Sequence, residues 1–159
     1  MAMWQRWRVL GMGTYGTVFL VEPGDPTAPL IAVKTCPLEK SSSLLLEERV
    51  LVQLCGCLNI VSCLGSSLTV KDSTGLYNLF LEFAVGGTLE DLIKKELGLC
   101  EWDMRRYVRM IVQGLCSVHG KGMVHCNLKP SNILVFPDEG GVLNVDRLKI
   151  VDFELAKEG

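Results

Sequence analysis

In the first third of the chain, short apolar runs alternate with breaks that are rich in glycine and proline. Residues 7–10, 17–21 and 30–33 are apolar or β-branched runs, and they are separated by a glycine-rich segment and a Pro-Gly-Asp-Pro segment. This pattern predicts strands joined by tight connections. Residues 63–70 and 77–83 have the same character, so strands are expected there as well.

Helical periodicity replaces this pattern in three places. After three serines at 41–43, leucine and valine recur at helical spacing within residues 44–54. The Thr-Leu-Glu-Asp segment at 88–91 is typical of a capped helix start. A long helix is predicted at 102–119, and one of its faces carries Met104, Val108, Ile111, Leu115 and Val118.

The order of elements indicates a β-rich half followed by a mainly helical half. Gly86 and Gly87 break the strand pattern, which predicts a hinge near residues 83–87. Two further short strands, at 133–136 and 148–151, flank a polar loop that contains residues 137–141. The fold class expected from this layout is α+β.

Charge and composition argue against several classes of function. The net charge is −2 and the basic residues are scattered, whereas a nucleic-acid binder needs a basic patch. The uncharged stretch 50–70 contains six polar residues and two glycines, so no membrane span is predicted. Seven cysteines without a CxxC pair favour free thiols in a reducing compartment. With no apolar signal region near the N-terminus, we expect a cytoplasmic location, with the nucleus as the alternative.

Residues 11–18 form a GxGxxGxV string, in which Gly11, Gly13 and Gly16 would let backbone amides approach phosphate oxygens. The same string opens a dinucleotide-binding Rossmann unit, where a helix follows the glycines. Here the strand-like residues 17–21 follow, so a β-hairpin is predicted. Taken alone, the string is also compatible with a glycine turn that binds no ligand.

Lys34 ends the strand-like run that follows the hairpin. A lysine in this place can reach the α- and β-phosphates of a nucleotide when a carboxylate holds it. Glu47 and Glu48, on the next predicted helix, can both supply the carboxylate. Leu51 lies one turn beyond Glu47 on the same face, which favours Glu47. Without this context, each charged residue would be interpreted as solvated surface.

Two later segments make the pattern specific. His-Cys-Asn-Leu-Lys-Pro-Ser-Asn at 125–132 resembles the catalytic loop of protein kinases, and Val-Asp-Phe-Glu at 151–154 resembles their magnesium-binding Asp-Phe-Gly segment. With the glycine string, the strand lysine and the helix glutamate in kinase order, essentially the whole chain resembles a serine/threonine protein kinase domain. Lys129, two residues past the catalytic-base position, has the serine/threonine pattern. The tryptophans at 4 and 7, the Lys34-to-Glu47 spacing and the His-Cys start resemble plant-type MAP kinase kinase kinases.

The resemblance implies a kinase-like fold with an N-lobe at 1–84 and a partial, mainly helical C-lobe at 85–159. It implies ATP and Mg²⁺ as ligands, and a protein substrate or a partner kinase in a signalling cascade. Asn132 and Asp152 would ligate Mg²⁺, and Lys129 would contact the transferring phosphate. The residues implied to surround the nucleotide are Gly11, Gly13 and Gly16 at the phosphates, Val18, Ala32 and Leu134 at the adenine, Leu81 as gatekeeper, and Glu82 to Ala84 as hinge.

The sequence departs from this family pattern at the catalytic loop. Asn127 occupies the position of the catalytic aspartate, and a carboxamide has no useful proton affinity. Phosphate transfer is therefore expected to be impaired or absent, with an active serine/threonine kinase and a non-catalytic regulator of an intact kinase as alternatives. Glu154 replaces the glycine of the Asp-Phe-Gly segment.

Other expectations concern the end of the chain and its two histidines. We expect a domain truncated after the Asp-Phe-Glu segment, which would leave the apolar face of the helix at 102–119 uncovered and explain a mean hydropathy of +0.29. His119 and His125 are both expected to pack beneath the catalytic loop.

Overall fold

The computed structural model describes residues 5–13, 16–22, 24–25, 27–96, 98–137 and 146–159, with the backbone alone at 5–7. These residues form two compact units, Met1–Val52 with Ser62–Phe83, and Gln53–Val61 with Ala84–Gly159. The sequence predicted a single division after Ala84. The second unit also takes in Gln53–Val61, because Val61 and Asn59 exchange backbone hydrogen bonds of 3.0 Å and 2.9 Å with Ile150.

The first unit is built on a five-stranded antiparallel sheet in the order β1-β2-β3-β5-β4. Its strands are β1 (Gln5–Gly13), β2 (Gly16–Glu22), β3 (Ile31–Pro37), β4 (Cys63–Lys71) and β5 (Thr74–Glu82). All five strands lie where the apolar runs predicted them. The predicted start of β5 was three residues late, because Asp72 and Ser73 both adopt positive φ and close a two-residue hairpin that begins β5 at Thr74.

A helix follows the third strand of this unit. A 3-10 turn at Leu38–Lys40 leads into α1 (Ser42–Gln53), which confirms the helix predicted after the serines. The buried residues of α1 are Leu44, Glu47, Val50 and Leu51. These residues form the buried face of α1. The apolar periodicity of the sequence predicted this face only in part, because a charged residue, Glu47, lies at its centre.

The second unit contains two helices and two strand pairs. They are α2 (Leu89–Lys95), α3 (Glu101–His119), β6 (Met123–Val124), β7 (Ile133–Phe136), β8 (Arg147–Ile150) and β9 (Lys157–Glu158). β7 pairs with β8 and β6 with β9, both antiparallel. The strands predicted at 133–136 and 148–151 are confirmed as β7 and β8, whereas the β6–β9 pair was not predicted. Residues 138–145 of the predicted polar loop lie outside the described residues.

The core of the second unit lies between its helices and the β7–β8 pair. Its buried residues are Leu89, Tyr107, Ile133, Val135 and Leu148. The α2 helix begins with the capping box that the sequence predicted, in which Thr88 accepts a hydrogen bond from the Asp91 N–H and the Asp91 side chain accepts one from the Thr88 N–H. Among the described residues, no helix is both long enough and apolar enough to cross a membrane.

The long helix α3 confirms the prediction for residues 102–119, but only part of the predicted apolar face is buried. The buried positions of α3 are Tyr107, Gly114 and Val118, and of these only Val118 lies on the predicted face. On the predicted apolar face, Met104 and Val108 have exposed fractions of 49% and 53%. The predicted apolar face of α3 is therefore exposed toward the N-terminal end of the helix.

Candidate functional site

The glycine string forms the end of the β1–β2 hairpin. Gly11 pairs with Val18, Met12 with Thr17 and Gly13 with Gly16, in antiparallel register. A strand follows the glycines, as predicted, and not the helix of a Rossmann unit. The tip residues at 14 and 15 lie outside the described residues.

The three glycines differ in what their missing side chains allow. A Cβ atom at Gly16 would lie 2.7 Å from the Thr35 carbonyl oxygen, so the approach of β2 to β3 requires glycine there. Among the described residues, a Cβ at Gly11 would meet no atom within 4 Å, and at Gly13 the nearest atom would be 3.9 Å away. The protein's own packing therefore leaves Gly11 and Gly13 open, which is compatible with a ligand lying against their backbone.

Lys34, on β3, forms an ion pair with Glu47 of α1. The Lys34 Nζ lies 2.8 Å from Glu47 Oε2, and the two side chains have exposed fractions of 12% and 0%. Glu48 has a different role, because its carboxylate accepts a hydrogen bond from the Tyr77 hydroxyl of β5. Burial, and then this bond, raise the pKa of Tyr77 to about 12. The geometry thus separates the two adjacent glutamates, and Glu47 is the one that holds the lysine.

The predicted adenine-contacting residues of the first unit lie on its central strands. Ala32 of β3 and Leu81 of β5 are buried partners in register, and Val18 of β2 is half-buried. Glu82 exchanges two bonds with Ser62: its N–H donates to the Ser62 carbonyl at 3.1 Å, and its Oε1 accepts from the Ser62 N–H at 2.6 Å. The Glu82 N–H is therefore engaged within the protein.

The second unit carries the other two residues predicted to meet adenine. Leu134 is half-buried on β7 and forms a bridge to Thr88. The Ala84 carbonyl accepts a hydrogen bond of 3.2 Å from the Gly87 N–H, so the backbone N–H is the group that Ala84 would offer to a ligand. The roles of these residues toward a nucleotide stay predictions.

Two amide side chains of the second unit converge on one carboxylate oxygen. Asn127 Nδ2 donates to Asp152 Oδ2 at 2.9 Å, and Asn132 Nδ2 donates to the same oxygen at 3.0 Å. Asn132 Nδ2 also donates to the Asn127 carbonyl at 2.9 Å. The residue at the catalytic-base position is therefore a hydrogen-bond donor toward the predicted metal ligand, a role that an ionised aspartate cannot take.

His125 supports this cluster from beneath. Its Nδ1 accepts a hydrogen bond from the Asn127 N–H at 3.1 Å, and its Nε2 lies 3.0 Å from the Val151 carbonyl. An N–H only donates and a carbonyl only accepts, so the ring is neutral and carries its proton on Nε2. The ring also packs edge-on against buried Phe153, with 4.7 Å between centroids. The same expectation was wrong for His119, which is exposed at the end of α3, where the chain turns away.

The oxygen donors of the cluster fit a magnesium ion. Asn132 uses its Nδ2 within the protein, which leaves Oδ1 as its group for a cation, and Asp152 supplies a carboxylate. Glu154 is buried, with an exposed fraction of 7%, and offers a carboxylate oxygen within 4.8 Å of one from Asp152. The amide oxygen of Asn132 and the carboxylates of Asp152 and Glu154 are hard ligands, which suit Mg²⁺.

Lys129 is exposed beside the 3-10 turn at Pro130–Asn132.

Two contacts of this site escaped sequence reasoning. The Asn127–Asp152 and Tyr77–Glu48 bonds join residues 25 and 29 positions apart, and no local spacing signals either of them. The signal for the first was the amide of Asn127 itself, which predicted only the loss of a base.

Comparison with known proteins agrees with the resemblance seen in the sequence. The protein kinase domain family matches residues 4–159. Mitogen-activated protein kinase kinase kinase 20 of Arabidopsis thaliana is 39% identical, covering 96% of this chain and 44% of the relative. Mitogen-activated protein kinase kinase kinase 17 of the same plant is 36% identical, covering 97% of this chain and 40% of the relative. Mitogen-activated protein kinase kinase kinase 19 of Mus musculus is 33% identical, covering 97% of this chain and 11% of the relative. The chain thus spans less than half the length of these relatives.

Proposed function

The chain belongs to the protein kinase domain family, and from this membership we propose that it binds ATP with Mg²⁺ and transfers phosphate to serine or threonine poorly or not at all. The observation that carries the proposal is the Asn127 carboxamide, which occupies the base position and donates to Asp152. A cytoplasmic location and a place in a MAP kinase cascade belong to the same proposal.

Retention of nucleotide binding is supported by the first unit. Lys34 is held by the buried Glu47 carboxylate, so its ammonium group is oriented without the entropy loss of a free lysine chain. The open backbone at Gly11 and Gly13 provides amide groups for phosphate oxygens. These features are the binding half of a kinase site, and the substitution at Asn127 does not touch them.

Metal binding is supported by the second unit. When bound, Mg²⁺ would neutralise charge on the β- and γ-phosphates. Asp152 and the Oδ1 atom of Asn132 would hold the ion, and the backbone of Asp152 has the left-handed conformation (φ 72°) that presents its carboxylate to the cluster. Lys129 would contribute a positive charge toward the transferring phosphate.

Loss of transfer follows from the chemistry of Asn127. One Nδ2 hydrogen is engaged with Asp152, and Oδ1 is the atom of the carboxamide that can accept from a substrate hydroxyl. An amide oxygen can accept a hydrogen bond and orient the hydroxyl, but it cannot take up the proton. Removing a general base typically lowers the rate by ~10²–10⁴-fold, which corresponds to about 3–5 kcal/mol of barrier.

The proposal is tested by two measurements on the natural chain and on Asn127→Asp. Titration with ATP and Mg²⁺, followed by thermal unfolding, should show binding in both proteins; a folded chain that does not respond to millimolar nucleotide refutes the binding claim. Phosphate transfer should be measured for each protein alone and when joined to the remaining kinase sequence of a relative. We expect transfer mainly in the joined Asn127→Asp protein, with Glu154 limiting it.

The alternatives predict different outcomes of the same experiment. Strong transfer by the natural chain would favour an active serine/threonine kinase and would mean that Asn127 is not at the base position. A folded chain that neither binds nucleotide nor transfers phosphate would favour a non-catalytic regulator of an intact kinase.

A further inference from the structure

The Asp152 carboxylate is held by two amide donors on one oxygen. Asn127 Nδ2 and Asn132 Nδ2 lie 2.9 Å and 3.0 Å from Asp152 Oδ2. Asn132 is tied in turn to the Asn127 carbonyl, at 2.9 Å. The three residues are therefore linked to one another by hydrogen bonds within the second unit.

An aspartate at position 127 would change this set in two ways. It would remove an amide donor, and it would add a negative charge within about 3 Å of Asp152, besides the Glu154 carboxylate that already lies near it. Two carboxylates at this distance repel strongly when water is partly excluded, and a cation is the usual means of relieving the repulsion. Metal affinity of oxygen sites also rises with the number of charged ligands.

The backbone conformation of Asp152 is a further reason to expect that hydrogen bonds hold this residue in place. Its φ of 72° lies in the left-handed region, which a non-glycine residue keeps only when the surrounding contacts hold it there. Cys126, directly before Asn127, has a φ of 61°. A residue with left-handed backbone conformation thus stands on each side of the Asn127–Asp152 contact.

We propose that Asn127 is a positioning residue whose carboxamide holds Asp152 in place. The metal site therefore stays largely ordered whether or not Mg²⁺ is bound. This deepens the proposed function and rests on its assignment of Asp152 and Asn132 as metal ligands. The amide performs part of the neutralising role of a cation, and the natural chain binds Mg²⁺ weakly for that reason.

The test uses the full chain without nucleotide and Mg²⁺ alone as the probe. Thermal unfolding is followed in EDTA and in increasing Mg²⁺ for the natural chain, Asn127→Asp and Asn127→Ala. We expect the natural chain to melt at nearly the same temperature with and without Mg²⁺. Asn127→Asp should melt lower in EDTA and recover with Mg²⁺, with an apparent dissociation constant for Mg²⁺ at least about tenfold below that of the natural chain.

A control variant and a second substitution at position 127 allow the experiment to decide for or against the proposal. Gln113→Glu adds the same charge on the exposed side of α3 and should leave the Mg²⁺ response of the natural chain unchanged. If Asn127→Asp does not fold, Asn127→Ala decides, because it removes the donor without adding charge. A larger Mg²⁺ shift in Asn127→Ala than in the natural chain supports the proposal, and an equal shift overturns it.

The failure of this inference is distinguishable from failure of the proposed function. Equal Mg²⁺ responses in the natural chain and Asn127→Asp, or no response in either, overturn the role given to Asn127 even if ATP binds. Conversely, a new Mg²⁺ response in Asn127→Asp without ATP binding by any variant leaves the positioning role in place and refutes the nucleotide-binding proposal.

Discussion

Lys34 Nζ lies 2.8 Å from Glu47 Oε2, and the Glu47 side chain is completely buried while Lys34 keeps slight exposure. A buried carboxylate of this kind is stabilised by its partner, and removing one member of a buried pair leaves the other charge uncompensated. The contact therefore links the stability of the first unit to the orientation of the lysine predicted to bind phosphates.

Glu47→Gln should lower both stability and nucleotide affinity. It removes the negative charge that lies 2.8 Å from the Lys34 ammonium group, and the loss of unfolding free energy should be about 3 kcal/mol, at the lower end for buried pairs because Lys34 is slightly exposed. Denaturant unfolding and ATP titration measure the two effects. Glu48→Gln is the matched control, since glutamine still accepts the Tyr77 bond, and a loss as large as that of Glu47→Gln would contradict the separation of roles.

Tyr77→Phe should change how the stability of the protein depends on pH in the alkaline range. The pKa of Tyr77 is raised to about 12 from 10.0, so the folded protein favours its protonated form. The stabilisation is fully present below about pH 10 and is lost as the pH rises toward about 12. The stability difference between the natural chain and Tyr77→Phe should therefore shrink over this range. A difference that stays constant from pH 8 to pH 12, roughly the span that contains both pKa values, would contradict the prediction.

Thr88→Ala should remove the capping box of α2. The loss should be about 1 kcal/mol, the usual effect of an N-cap substitution. Hydrogen bonds from Thr88 lower the pKa of Asp91, so this contribution is present above the ordinary aspartate pKa and is lost as the pH falls below it. Thr88→Ser keeps the hydroxyl and is the control. Equal stability of the alanine and serine variants at neutral pH would argue against the cap.

Gly114→Ala tests the close approach of α3 to β8. The added Cβ would lie 2.9 Å from both the Asn59 carbonyl oxygen and Ile150 Cδ1, and the same carbonyl accepts the Ile150 N–H. We expect a loss of about 1–3 kcal/mol from overpacking, measured by denaturant unfolding. Gln113→Ala, one residue earlier and exposed, should be neutral or slightly stabilising because alanine favours helix.

The exposed face of α3 should drive self-association. Met104, Val108 and Val112 are about half exposed and recur every fourth residue, so they lie on one face of the helix. Light scattering of the natural chain should show association that Val108→Glu with Val112→Glu reduces. Val52→Glu changes an exposed valine of α1 and should leave association unchanged. A monodisperse natural monomer would refute the argument from this face.

Local sequence alone determined most of the elements and their order, with the β6–β9 pair as the exception. The β1–β2 hairpin follows from glycines before a β-branched run, and α2 follows from the threonine and aspartate of its capping box, because turns, caps and periodicity involve residues that are close along the chain. Family resemblance extended this to the chemistry expected of Lys34, Asn132 and Asp152.

Only the tertiary structure decided which side chains meet. Helix periodicity favoured Glu47 over Glu48 without deciding between them, and the sheet separates the two by placing Lys34 against Glu47 and Tyr77 against Glu48. The residue at position 127 could be recognised as a missing base, but its bond to Asp152 spans 25 residues. Such pairings depend on how distant elements lie together, and no local propensity encodes that placement.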